Sequence, residues 1–274
     1  MTKSTTGQLT VLVTGASSGI GEAVARQFIA LGHKVYGTSR NPETVKNPIP
    51  GVTYVRLDNA DYATATACAQ TVGDIDILIN NAGESAAGAF EDTPMEAVEH
   101  LFRVNVFGPI ALTKAVLPGM RRRRTGTVVM VGSMLSSFPV AFRTNYSATK
   151  SALKGYAMAL RREVAPYGIR VTTVEPGTIA TGIGDHRTIH IGDDSVYRDE
   201  YETVAAATRR NESKGIAPEK MAEKILEAAL ASNPKPLYAR GNSAPLVFSL
   251  ARIAPRQLVL DLTARKHGLK RVRR

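Results

Sequence analysis

Thr14-Gly15-Ala16-Ser17-Ser18-Gly19-Ile20-Gly21 is the stretch on which the fold turns. It stands between a short β-branched apolar run, residues 9–14, and a helical pattern, residues 20–31, that Gly32 stops. Glycines at such a turn let the backbone approach a pyrophosphate, and the helix N-terminus behind them offers amide donors and a favourable dipole. The spacing is Gly-x-x-x-Gly-x-Gly, not the commoner Gly-x-Gly-x-x-Gly, and a turn that merely needs glycines is the plain alternative. Its place between the first strand and first helix of an alternating chain favours the dinucleotide reading.

Outward from that turn the alternation continues. Short apolar runs at residues 34–38, 53–57, 75–80, 128–131 and 170–174 read as strands, with helix-like segments between them. Near-continuous apolar strands alternating with helices indicate a parallel sheet covered on both faces. The expected fold is α/β: a doubly wound parallel sheet of three-layer, Rossmann type, with its ligand crevice at the carboxyl ends of the strands. A weak strand at 236–239 closes the sheet edge. Residues 178–217 follow a Pro-Gly pair, lack a single period, and read as a substrate lid holding one or two helices. Residues 245–253 and 255–265 are short amphipathic patterns, each opened by a proline suited to a helix start. The chain therefore reads as one catalytic domain, residues 1–242, with residues 243–274 as a basic amphipathic extension of it.

At 274 residues and 43% hydrophobic content the composition is that of a soluble globular protein. No apolar stretch approaches the roughly 20 residues that cross a bilayer. The polar first eight residues have no secretory apolar core, and the single cysteine, Cys68, excludes an internal disulfide. A reducing, cytoplasmic setting is expected, and Cys68, in a helix-like stretch, reads as packing. The net charge of +11 is uneven: residues 235–274 hold ten Lys/Arg against one acid, Asp261. That tail reads either as a solvated face or as a contact with phosphate-rich partners or an anionic membrane surface. The basic run 121–124 complements a helix C-terminus ending near Met120. Neither run has the aromatic interleaving of a nucleic-acid motif, so no nucleic-acid partner is expected.

The end of the second strand, Tyr36-Gly37-Thr38-Ser39-Arg40-Asn41, contains no acid. An acid there would bind both ribose hydroxyls, whereas an arginine favours a 2′-phosphate through paired charge-assisted hydrogen bonds. Arg40, with the Ser39 hydroxyl, therefore points to NADP(H) over NAD(H). Tyr146-Ser147-Ala148-Thr149-Lys150 places Tyr146 and Lys150 four apart at the start of a helical pattern, on one face. A phenol normally titrates near pH 10, and a cation a few ångströms away favours its ionised form, as acid–base work needs.

A lone Tyr-x-x-x-Lys is common by chance, but this one has company. With the glycine turn, Asn80-Asn81-Ala82-Gly83, Ser133 and Pro176-Gly177, each after a strand and in this order, the sequence resembles the short-chain dehydrogenase/reductase family over residues 9–183. The Val174-Glu175-Pro176-Gly177 stretch and Arg40 resemble the branch containing steroid and retinol dehydrogenases. The resemblance implies a carbonyl/alcohol oxidoreductase in which Tyr146 is proton donor or acceptor and Lys150 lowers its pKa and binds the nicotinamide ribose. It implies that Ser133 orients the substrate oxygen and that Asn105, in a helix, positions a water relaying protons to Lys150. Cofactor contacts are implied for Gly15, Ser17, Ser18, Gly19, Ile20, Gly21, Asp58, Asn59, Asn81, Ala82 and Gly83. Pro176, Gly177, Ile179 and Thr181 are implied at the nicotinamide, and the hydride chemistry belongs to the cofactor.

Met134, Leu135, Phe138, Val140 and Phe142, between Ser133 and Tyr146, suggest an apolar pocket for a lipophilic ketone or aldehyde. Packing beneath the lid is the alternative for some of them. Glu84 stands where the family usually has an apolar residue, which puts a charge at the pocket rim. The five histidines fit no metal or triad pattern; no metal is expected, and only His186 and His190 fall in the lid. A homo-oligomer, dimer or tetramer, is expected. The tail could rest on a membrane, on the pocket or on a neighbouring subunit. A non-catalytic NADP(H)-sensing regulator on the same fold is the competing function, disfavoured by the complete set Asn105, Ser133, Tyr146 and Lys150.

Overall fold

The first crossover sets the pattern of the computed structural model, which describes residues 7–180, 184 and 186–270. Strand β1 (Thr10–Val13) runs through the glycine turn into α1 (Gly19–Ala30) and returns as β2 (Lys34–Ser39). The unit repeats through β3 (Val52–Arg56), α2 (Tyr62–Val72) and β4 (Ile77–Asn80). A short strand β5 (Ala86–Gly88) precedes α3 (Met95–Phe102) and α4 (Gly108–Arg123), which lead to β6 (Gly126–Val131), α5 (Thr144–Val164) and β7 (Ile169–Pro176). Then come β8 (Thr188–His190), α6 (Arg198–Glu212), α7 (Pro218–Leu230), β9 (Leu237–Arg240), α8 (Ala244–Ile253) and α9 (Arg256–Lys266).

Seven strands pair in parallel in the order β3-β2-β1-β4-β6-β7-β9. Val11 of β1 faces both Val35 of β2 and Ile77 of β4, so the winding reverses on either side of β1. At that reversal the connections leave in opposite directions and open a crevice at the carboxyl ends. Side chains alternate across the sheet. Val11 and Val13 pack with Val24 and Phe28 of α1 and Met221 and Ile225 of α7. Leu12 and Leu78 face the other way, onto Leu112 and Met120 of α4 and Leu153 of α5. Both faces are covered, which is why β4 and β6 are buried along their whole length and read as unbroken apolar runs. Fully burying a side chain such as Phe28 stabilises the fold by about 1.5–3 kcal/mol. Helix α1 forms where Val24 and Phe28 repeat on one stripe, and α2 opens on Asp61, whose carboxylate accepts from Ala63 N at 3.1 Å.

The doubly wound single sheet is thus as the sequence predicts, down to the edge strand β9. Three local features differ. Asn105 lies in a π-helical turn, residues 103–107, between α3 and α4, not inside a regular helix. Residues 178–217, expected as a lid, contain β8, which pairs in parallel with β5 as a second, two-stranded sheet and ties this segment to the one after Gly83. Helix α4 runs past Met120 to Arg123, although the basic run does stand at its C-terminus as expected: Arg123 binds Asp74 and Ile75 O, while Arg124 donates to Pro166 O at 2.8 Å. Cys68 is buried in α2, where burial pushes its thiol up to about 11, so it packs rather than reacts. Among the described residues no helix is long and apolar enough to cross a membrane.

Candidate active site

The glycine turn is held from two sides. Thr14 Oγ1 accepts from Asn81 N at 2.9 Å and Ala82 N at 2.8 Å, and Asn81 Nδ2 donates to Thr14 O at 3.0 Å. On the other side Thr38 Oγ1 accepts from Gly15 N at 3.2 Å. Thr14 and Thr38 were not among the expected site residues; a hydroxyl at the end of a buried strand, which must find a partner, is the signal that marks them. Ser18 occupies the N-cap of α1 with extended backbone, and its side chain accepts no capping hydrogen bond. Ser17 and Ser18 are exposed ahead of the first turn of α1, whose leading amides have no partner within the helix. A Cβ at Gly21 would stand 2.2 Å from Gly15 O, so the close return of the helix on its own turn requires glycine.

Beside this turn, Ser39 and Arg40 end β2, and Arg40 is exposed. After β3, Asp58 Oδ1 accepts from Ala60 N at 2.9 Å. Asn59 is buried and donates to Val104 O at 3.1 Å, which joins the end of β3 to the π-turn. That turn presents Asn105, whose Nδ2 donates to Glu84 O at 2.9 Å and Thr149 Oγ1 at 3.2 Å while Oδ1 accepts from Glu84 N at 2.8 Å. Gly83 lies between the groups, because a Cβ there would come within 2.9 Å of Asn105 Oδ1 and 3.5 Å of Lys150 Nζ.

Helix α5 begins at Thr144, so Tyr146 and Lys150 sit one turn apart on a single face. Lys150 Nζ donates to Val131 O at 3.1 Å and lies 5.8 Å from the centre of the Tyr146 ring. Ser133 caps a short 3₁₀ turn, residues 134–136, with Oγ accepting from Leu135 N at 3.2 Å. This turn is anchored by Glu175, which is wholly buried and accepts from Ser136 Oγ at 2.6 Å, Ser137 Oγ at 2.8 Å and Lys154 Nζ at 3.0 Å. No periodicity or spacing announces that anchor.

Ser133, Tyr146 and Lys150 line one cavity of about 430 Å³ with Asn81, Gly83 and Ile20. Pro176, Gly177 and Ile179 also line it, and a parallel bridge from Ile179 to Ile216 closes that side. Thr181 lies outside the described residues. Of the five apolar residues expected here, Met134, Leu135, Phe138 and Val140 face the cavity. Phe142 does not: it takes a positive φ of 62° and packs edge-on against Tyr201, beside a small separate cavity that His190 also lines. Glu84 stands at the cavity wall, 2.9 Å from His100 Nε2. The extension adds Val247 and Leu250 of α8, Val259 and Leu262 of α9, and Lys266 with His267 to the wall, while Arg187, Thr208, Asn211 and Glu212 line it from residues 178–217. His267, not the lid histidines, is the one at this cavity, and burial holds its imidazole below the usual histidine range. Arg143 lines the cavity as well, face-on to the Tyr146 ring at 4.7 Å. Among the described residues no cluster of His, Cys, Asp and Glu could hold a metal ion.

A reversal-point crevice with a glycine turn at one end and a Tyr–Lys–Ser group at the other defines an oxidoreductase that works on CH–OH groups with a nicotinamide dinucleotide. The family model for short chain dehydrogenases matches residues 9–190. The chain belongs to the short-chain dehydrogenase/reductase family. It is 35% identical over 233 residues to the 3-ketodihydrosphingosine reductase of Bacteroides thetaiotaomicron, covering 82% of this chain and 84% of that one. A short-chain dehydrogenase from Streptomyces avermitilis superposes with a TM-score of 0.80 at 33% identity, covering 91% of this chain and 94% of that one. A serine dehydrogenase complexed with NADP⁺ superposes with a TM-score of 0.72 at 27% identity, covering 86% and 96%. The enzyme uses NAD(P)(H), and the glycine turn at the carboxyl end of β1, with Ser17 and Ser18 exposed ahead of α1, fits the pyrophosphate of such a group.

Proposed function

We propose that the enzyme reduces a lipophilic ketone or aldehyde with NADPH. The observation that carries this is the shared cavity, in which Ser133, Tyr146 and Lys150 meet a wall of apolar side chains. Bound in the crevice, the cofactor supplies hydride to the carbonyl carbon. Tyr146 Oη gives its proton to the carbonyl oxygen, and Ser133 Oγ donates a hydrogen bond to the same atom and stabilises its developing charge. Lys150 holds the nicotinamide ribose, and its ammonium favours the phenolate left after proton transfer. Asn105 supports the proton relay to Lys150. Gly15, Ser17, Ser18, Gly19, Ile20 and Gly21 hold the pyrophosphate, Asp58 and Asn59 the adenine side, and Asn81, Ala82, Gly83, Pro176, Gly177, Ile179 and Thr181 the remainder. The relative named for 3-ketodihydrosphingosine supports a keto substrate. A carbonyl panel read by loss of NADPH absorbance tests the reading; turnover of small hydrophilic carbonyls alone would reject the lipophilic part.

Preference for NADP(H) rests on Arg40, exposed at the end of β2 beside Ser39, with no acid from Tyr36 to Asn41. A charged hydrogen bond contributes about 1.5–3 kcal/mol, so Arg40→Ala should lower kcat/KM with NADPH roughly 10- to 100-fold and leave NADH turnover nearly unchanged. An unaltered NADPH/NADH ratio would refute the assignment.

A peripheral membrane contact is the second reading, and it has its own observation. Helices α8 and α9 turn Val247 and Val259 to the cavity but leave Leu246, Ile253 and Leu258 exposed, at 62%, 82% and 48%. With the basic tail this makes a surface suited to anionic lipid at the mouth of an apolar pocket. The protein should sediment with phosphatidylglycerol vesicles, and Ile253→Asp with Leu258→Asp should leave it in the supernatant; no sedimentation of the wild type ends this reading. We also read the enzyme as a cytoplasmic homo-oligomer; the exposed apolar Phe107 and Tyr156 support association between copies, and the use of a single, buried cysteine supports the compartment.

A further inference from the structure

We infer that the substrate carries an anionic group, a carboxylate or a phosphate, within a few bonds of its carbonyl, and that Arg143 receives it. The inference rests on the carbonyl-reductase reading of the cavity and says which carbonyl compounds it takes.

Arg143 immediately precedes α5, three residues before Tyr146, and is only 8% exposed. Its guanidinium stacks on the Tyr146 ring, Cζ to centroid 4.7 Å, so it flanks the group that protonates the carbonyl. Among the described residues its one side-chain hydrogen bond runs from Nη2 to Ser85 Oγ at 3.0 Å. Nε is buried with no partner. A guanidinium offers five donors in a planar fork, and a buried cation without a counter-ion is costly. A neutral serine hydroxyl does not compensate it.

The surroundings deepen the deficit. Arg187 donates to the same Ser85 Oγ, at 3.3 Å, and Lys266 and His267 line the same cavity. Two acids line it too, and both are engaged: Glu212 pairs with Arg187, and Glu84 lies against His100. Among the described residues no carboxylate pairs with Arg143. Burial first, and then the charge of Arg187, lower Arg143 to about 10 against the weaker opposing pull of Tyr146, Glu212 and Tyr201, which leaves it protonated at neutral pH. A site that keeps a desolvated cation beside the reacting atoms, with its fork incompletely bonded, is complementary to an anion that offers paired oxygens. Leu135, Phe138, Val247 and Leu250 then accept an apolar chain running away from that head. The ligand class is an amphiphile: anionic at the carbonyl end and aliphatic beyond it.

The test separates this from a bracing role. Decyl phosphate, decanoate and decanol are titrated calorimetrically into the NADP⁺ complex of the wild type, Arg143→Met and Arg143→Lys. One or both anions should bind the wild type about 10- to 100-fold more tightly than decanol; which of them does so identifies phosphate or carboxylate. Arg143→Met should lose that advantage while keeping its affinity for decanol, and Arg143→Lys should keep part of it. Equal binding of all three by the wild type overturns the inference, as does an anion preference that survives in Arg143→Met. If Arg143→Met fails to fold, the wild-type ranking and the Arg143→Lys ratio still decide. Failure of the broader reading is a different result, namely no NADPH consumption with any carbonyl while anion binding persists.

Discussion

Tyr146→Phe should lower carbonyl reduction by about two to four orders of magnitude while NADPH affinity and thermal stability stay close to wild type. The substitution removes one hydroxyl and nothing else. The ring remains on α5, 9% exposed, and keeps its stacking partner, the Arg143 guanidinium at 4.7 Å. Lys150 keeps its bond to Val131 O at 3.1 Å, so its side of the cavity is preserved. Only the proposed proton source disappears, so the loss is expected in kcat more than in KM. Single-turnover rates together with NADPH fluorescence check the split. Near-normal turnover would remove Tyr146 from the chemistry, and a matching loss of NADPH binding would make its role structural.

Glu175→Leu should destabilise the enzyme by about 3 kcal/mol, the low end of what breaking a buried charge pair costs. The low end applies because its partner Lys154 is 23% exposed and can turn to water, whereas Glu175 is 0% exposed. Ser136 and Ser137, which donate to the carboxylate at 2.6 and 2.8 Å, are left without it. A loss of that size is a large part of a typical domain's 5–15 kcal/mol. Because these serines belong to the turn that Ser133 caps, activity should fall further than stability at temperatures where the variant is still folded. Glu175→Gln, which keeps the acceptor oxygen, should recover part of both. Urea unfolding with rate measurements on the folded variant reads the two effects, and a wild-type midpoint for Glu175→Leu would show that the network anchors nothing.

Much of the site is visible in one dimension because its parts are local. The glycine turn needs only a strand before it and a helix after it, and Tyr146 and Lys150 need only one helical turn between them. The two tail helices are likewise marked by their own period and opening prolines. The strand β5 has no such mark. Ala-Ala-Gly is too short and too plain to read as a strand, and it becomes one by pairing Ala86 with Thr188, about a hundred residues on. Phe142 belongs to the apolar segment after Ser133, yet its positive φ turns it toward Tyr201, away from the cavity. Asn105 sits in a helical neighbourhood whose π-turn no spacing reveals.

From the sequence alone follow the doubly wound sheet, the glycine turn at one end of its crevice and the Tyr146–Lys150 pair, since each is written in a period or spacing of a few residues. The tertiary structure decided what surrounds them. It placed Glu175 under Ser136 and Ser137, Arg143 over Tyr146, Arg187 on Ser85, and the extension across the mouth of the cavity. These partners lie up to a hundred residues apart in the chain. Burial and charge bring them together only after the sheet has formed, so the substrate's side of the site is a property of packing.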